Sequence, residues 1–123
     1  DIAVRVCADS LKDLFSTSAD AMFSLVAEPE DADPTVSESL ELSAMDREAL
    51  LVDWLNELLY IHERDGVVII DIVFEHLTDT ELQVRVRGVP VKEHYANIKA
   101  ATFHNLSIEN DKDRFRTAIV FDV

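Results

Sequence analysis

The sequence predicts an α+β fold: a single domain over residues 1–123, with two main helices on a mixed or antiparallel β-sheet. Its second half is β-rich and ends in two hairpins. Three observations carry that reading. Residues 10–28 and 43–66 repeat apolar side chains at spacings of three and four, the period of a helix with one buried side. From Val67 onward, apolar and polar residues alternate in runs separated by turn residues, the period of strands. Finally, 123 residues, 48% of them apolar, can bury one core but hardly two.

In chain order, Ile2 to Ala8 alternates Ile2, Val4 and Val6 with Ala3, Arg5 and Cys7, which reads as a half-buried strand. Ser10 opens the first helix, with Asp13 in the capping-box position. Its buried stripe runs Leu11, Leu14, Phe15, Ala19, Met22, Phe23 and Val26, and Pro29 is expected to end it. Glu28 to Thr35 is an acidic loop with two prolines and without the glycine-containing pattern of a calcium loop, so its acids read as solvated. Val36 to Leu42 is a weaker strand.

The central helix follows, from Ser43 to Gly66. Leu50, Leu51, Trp54, Leu55, Leu58, Leu59 and Ile61 share one broad side, while Asp53, Asn56, Glu57 and Arg64 fall on the other. Ser43 with Asp46 is expected to start it, and Gly66 to end it in the left-handed conformation. Val67 to Leu77 is then a long strand with Val68, Ile70, Ile72 and Phe74 on one face. Thr78 to Thr80 turns it, and Glu81 to Gly88 returns. A three-residue loop sets Asp71 opposite Arg87 and Val73 opposite Arg85. Pro90 is expected to break this strand, and Val91 to Asn97 to connect to the final hairpin.

That hairpin reads as Ile98 to Glu109, a four-residue turn over 110–113, and Arg114 to Val123. In this register His104 faces Ile119, Ala100 faces Val123, and Lys99 lies diagonally from Asp122. A Lys–Asp pair on a sheet is by itself a structural ion pair, and His104, among apolar residues, reads as a core or edge histidine.

The charge is −14, from 25 acids against 11 bases. Repulsion opposes strong direct binding to a nucleic-acid backbone, whereas a basic partner or a hard cation suits the surface. Cys7 is the only cysteine, so neither an internal disulfide nor a cysteine-pair zinc site can form. No apolar run is long enough to span a membrane. The chain begins at Asp1 rather than Met, which leaves a removed leader open. The two glycines lie too far apart for a phosphate loop, and His62-Glu63 lacks the second histidine of a zinc-protease helix. Catalysis is not indicated by any spacing.

Four stretches, in order and spacing, resemble the archease family: DIAVRV at 1–6, LLVDWLNELLY at 50–60, IKAATFHNL at 98–106 and VFDV at 120–123. His94 also stands where that family tends to carry a histidine. One departure concerns the start: members usually have a His-Thr-Ala-Asp-like run before the first strand, and only its aspartate, Asp1, is present. The resemblance implies an accessory protein rather than an enzyme. Its partner would be an RtcB-type RNA ligase of tRNA splicing and RNA repair, whose nucleotidylation and repeated turnover it promotes. The alternative is a chaperone-like partner of a tRNA methyltransferase. A third possibility, a small metal-dependent hydrolase, lacks a positioned base or nucleophile. By the same resemblance Asp1, Asp122 and the main chain of Val123 are metal ligands, for Ca²⁺ or else Mg²⁺, and Lys99 belongs to a functional tip. It also implies a cytoplasmic setting, or a nuclear one in a eukaryote.

Overall fold

A computed structural model describes all residues, 1–123. The elements are β1 (Ile2–Ala8), α1 (Leu11–Val26), β2 (Ala27–Pro29), β3 (Val36–Ser43), α2 (Arg47–Asp65), β4 (Val67–Leu77), β5 (Glu81–His94), β6 (Ala100–Thr102), β7 (Glu109–Asp111) and β8 (Arg114–Asp122). Every strand pair is antiparallel. In one sheet β8 has β1 on one edge and β6 and β7 on the other. In the second, β5 is flanked by β4 on one edge and by β3 and β2 on the other. Each helix touches strands of both sheets, so the helices join them around one continuous core. The fold is the α+β arrangement that the sequence periods predict.

The helix ends follow capping chemistry. Ser10 accepts the Asp13 backbone N–H at 3.0 Å, and Gly66 closes α2 at φ +64°, where a side chain would be strained. The start of α2 differs from expectation. Asp46 is its N-cap, accepting the Ala49 N–H at 2.8 Å, while Ser43 ends β3. A carboxylate there also suits the positive end of the helix dipole. Trp54 is fully buried, donates its indole N–H to the Phe15 carbonyl at 3.0 Å and packs on Phe74. One side chain thereby ties α2 to α1 and to β4.

Three further expectations are corrected. Helix α1 stops at Val26, before Pro29, because Ala27 to Pro29 is drawn into an extended ladder with the end of β5. Strand β5 runs through Pro90 to His94. Pro90 stands where β5 changes neighbour from β3 to β2, so its missing N–H leaves no ladder bond unmade, and its carbonyl accepts from Glu30 N at 2.8 Å. Ile70 is 46% exposed instead of inward. The register slips between Ile69 and Asp71, and this bulge turns Ile70 outward while Val67, Val68 and Ile69 stay buried. Gly88 faces this crowded stretch, where a Cβ would meet Val67 Cγ2 at 2.8 Å. Beyond the bulge Asp71 pairs with Arg87 and Val73 stands opposite Arg85, as predicted, with an Arg87–Asp71 ion pair.

Candidate functional site

The last strand gathers the residues that the sequence singled out. Strand β8 pairs with β1 up to Ile2–Phe121, so the next position on each strand brings Asp1 beside Asp122. On its other edge Asp122 pairs with Ala100, and its carbonyl accepts the Lys99 backbone N–H at 2.8 Å. Asp1, Lys99, Asp122 and Val123 are all exposed. These residues thus meet at one strand end, although the link between Lys99 and Asp122 is not the predicted one. The register is one residue away from expectation, Ala100 rather than Ala101 faces Asp122, and the main chain rather than an ion pair joins the two.

The reason lies further along the hairpin. Instead of one strand over 98–109, β6 and β7 are three residues each, separated by Phe103 to Ile108. Lys112 and Asp113, at φ +49° and +67°, form a two-residue turn in place of the four-residue one. Its register therefore differs from that at β6, and the intervening loop absorbs the difference. His104 consequently sits in an exposed turn beside Asn105 (φ +53°) rather than opposite Ile119, and Phe103 is 58% exposed.

Helix α2 holds this broken strand by its polar residues. The Asn56 amide accepts from Ala101 N at 2.8 Å and donates to Ala101 O at 3.2 Å. One helical face earlier, Glu48 accepts from Ile108 N at 2.9 Å while Arg47 donates to Ile108 O at 2.7 Å. Two backbone positions that lack a partner strand on this side are thus satisfied in both directions. Sequence reasoning placed Asn56 on the solvated side and did not single out Arg47 or Glu48. The available signal was an asparagine in mid-helix, where it is a poor helix former and needs another reason to be present. Through Ala101, Asn56 anchors the strand two residues from Lys99.

Chemically the tip offers carboxylate oxygens from Asp1 and Asp122, a carbonyl from Val123 and one mobile ammonium from Lys99. Such donors fit a hard cation and not a thiophilic one. No group of three or more His, Cys, Asp or Glu side chains converges anywhere in the chain. An ion here would therefore take much of its shell from water or a partner. Asp1, Lys99 and Asp122 line neither the cavity of about 520 Å³ beside Arg5, Cys7 and Arg116 nor that of about 650 Å³ beside His62 and His94. The tip is the exposed end of neighbouring strands. No helix is long and apolar enough to cross a membrane.

An acidic two-sheet α+β domain with two carboxylates and a lysine gathered at the end of its last strand defines the class. The model of the Archease protein family matches residues 1–123, and the chain belongs to that family. Among curated relatives, the archease of Methanopyrus kandleri is 33% identical over 131 residues, covering 100% of this chain and 93% of the relative. That of Methanosarcina acetivorans is 30% identical, covering 100% and 90%. The fold is similar to that of a Thermotoga maritima archease described as a possible chaperone, with a TM-score of 0.75, 22% identity and coverage of 100% and 91%. It is equally similar to Methanobacterium thermoautotrophicum protein 1598, at a TM-score of 0.74 and 22% identity, with coverage of 100% and 95%.

Proposed function

We propose that this chain is an accessory protein that activates an RtcB-type RNA ligase, promoting nucleotidylation of the ligase and its repeated turnover, through the tip formed by Asp1, Lys99 and Asp122. The observation that carries the reading is their meeting at one exposed strand end, with Lys99 bonded through its backbone to Asp122, in a chain of the archease family. Asp1, Asp122 and the Val123 carbonyl would hold Ca²⁺ or Mg²⁺, which orders the tip when bound. Lys99, kept apart from any carboxylate partner, is then free to meet a phosphate or a ligase carboxylate. The acidic surface favours a ligase whose RNA groove is basic.

The test is ligase turnover and nucleotidylation with the wild type, Lys99→Ala and Asp122→Ala, beside the surface control Glu81→Ala. Both tip variants should fold and lose activation, and the control should keep it. In calorimetric Ca²⁺ titrations, Asp122→Ala should bind more weakly than the wild type while Lys99→Ala does not. Full activation by both tip variants would refute the assignment. The description of the Thermotoga relative as a possible chaperone supports the chaperone half of a second reading, in which the partner would be a tRNA methyltransferase or another tRNA-processing enzyme. It predicts reduced aggregation of that enzyme by wild type and Asp122→Ala alike.

A further inference from the structure

We propose that His62 and His94 form a site for a divalent transition metal of the zinc type, separate from the oxygen donors of the tip. His62 belongs to the last turn of α2 and is only 7% exposed. Its Nδ1 lies 2.7 Å from the Val67 carbonyl oxygen. A carbonyl oxygen only accepts, so Nδ1 carries the hydrogen and donates it. The free lone pair is therefore on Nε2. A ring N–H given to a backbone carbonyl is the outer contact that orients a metal-bound histidine. Nε2 itself has no protein partner, yet it is not sealed in the core, where Ser18 Oγ is the one unpartnered side-chain polar atom. His62 lines a cavity of about 650 Å³.

His94, exposed at the end of β5, lines the same cavity. Its ring centroid is 5.7 Å from that of His62, with the planes at 61°. A metal–nitrogen bond of about 2.0–2.1 Å sets an imidazole centroid about 3.2 Å from the ion, so tetrahedral ligands hold two centroids about 5.2 Å apart. The observed separation is about 0.5 Å wider, a gap that rotation of the exposed His94 ring closes. The rings are thus near the spacing of a chelate before any metal arrives.

Local charge also favours a cation. Glu63 lines the cavity, and Glu28 and Glu93 oppose each other across β2 and β5, where like charges repel. Two imidazoles select zinc, copper or nickel over calcium and magnesium. Two protein ligands are one fewer than an open catalytic zinc site supplies, so the remaining positions go to water or to a side chain of a partner.

The experiment is calorimetric titration of the full chain with Zn²⁺, together with long-range ¹H–¹⁵N spectra of the histidine rings. The wild type should bind one Zn²⁺, and His94→Ala should weaken that binding about tenfold or more, while His76→Ala and Asp122→Ala leave it unchanged. Zn²⁺ should shift the His62 Nε2 resonance and leave Nδ1 protonated; this reading involves His62 without the risk that replacing a buried side chain unfolds the protein. Absence of zinc binding, equal affinity in His94→Ala, loss of binding in Asp122→Ala, or unmoved His62 resonances would each overturn the proposal.

Discussion

At Ala101 the backbone N–H and carbonyl both end on one side chain, the Asn56 amide, and Ala101 is only 4% exposed. Removing that amide leaves a buried donor and acceptor unpaired. Asn56→Ala should accordingly lose roughly 1–3 kcal/mol in denaturant melts. Asn56→Asp keeps the acceptor for the Ala101 N–H but sets a carboxylate against the carbonyl, so it should not restore the loss. Asn56→Ala should also lower ligase activation, since Ala101 lies two residues from Lys99. A melt unchanged from wild type would show that the short β6 ladder holds the segment alone. Spacing assigned Asn56 to the polar side correctly. Periodicity could not tell a polar residue facing water from one facing backbone, because both are equally non-apolar. His62 shows the same limit, since its partner, the Val67 carbonyl, lies beyond the turn at Gly66.

Among the elements, α2 is the one whose burial the sequence describes best. Leu50, Leu51, Trp54, Leu55, Leu58, Leu59 and Ile61 are all buried, as their spacing predicts, and Asp53 is exposed. Leu55→Ala should lose about 2–5 kcal/mol through the cavity it leaves. Asp53→Ala should stay within about 0.5 kcal/mol of wild type. Equal losses in the paired melts would mean that the helix presents another face to the core. The β-hairpins divide instructively. The Thr78–Thr80 turn is held by the Thr78 hydroxyl, which accepts from Glu81 N at 3.0 Å, but it sets Leu77 opposite Leu82, one residue from the expected register, and a slip between Phe74 and His76 restores the predicted Asp71–Arg87 pairing. Over 103–108 of the last hairpin, local bonds from Leu106 N to the Phe103 carbonyl at 3.0 Å and from the Thr117 hydroxyl to the Ser107 carbonyl at 2.9 Å are joined by contacts with α2 at Ala101 and Ile108.

At the scale of the molecule, a charge of −14 on 123 residues acts in two opposite ways. It attracts a basic partner and it repels itself. Raising ionic strength from about 0.05 to about 0.5 M shortens the screening length from above 10 Å to a few ångströms. The melting temperature of the isolated chain should then rise, while the rate of association with the ligase falls. Stopped-flow association and thermal melts over one salt series check both. An association rate indifferent to salt would remove electrostatic steering from the proposed function. Local pairs modulate this field only slightly. Arg64, beside Asp65 and Glu38, holds the Asp65 carboxyl below its usual range, but all three side chains are solvated.

The α+β class, the two helices with their buried stripes, the Gly66 stop and the pairing of β4 with β5 follow from the sequence by itself. Each depends on neighbours within a turn or a short loop, and such interactions leave a period or a capping residue in the chain. The family resemblance, carried by four motifs, pointed to Asp1, Lys99, Asp122 and Val123 as one site. Only the tertiary structure decided how they meet, because the register of β8 against β6 depends on the loop over 103–108 and on α2, some fifty residues earlier in the chain. The Ile70 bulge, the passage of β5 through Pro90 and the His62–His94 pair are of the same kind. Each is a compromise between distant segments competing for the same backbone groups or the same space, and no local pattern records that competition.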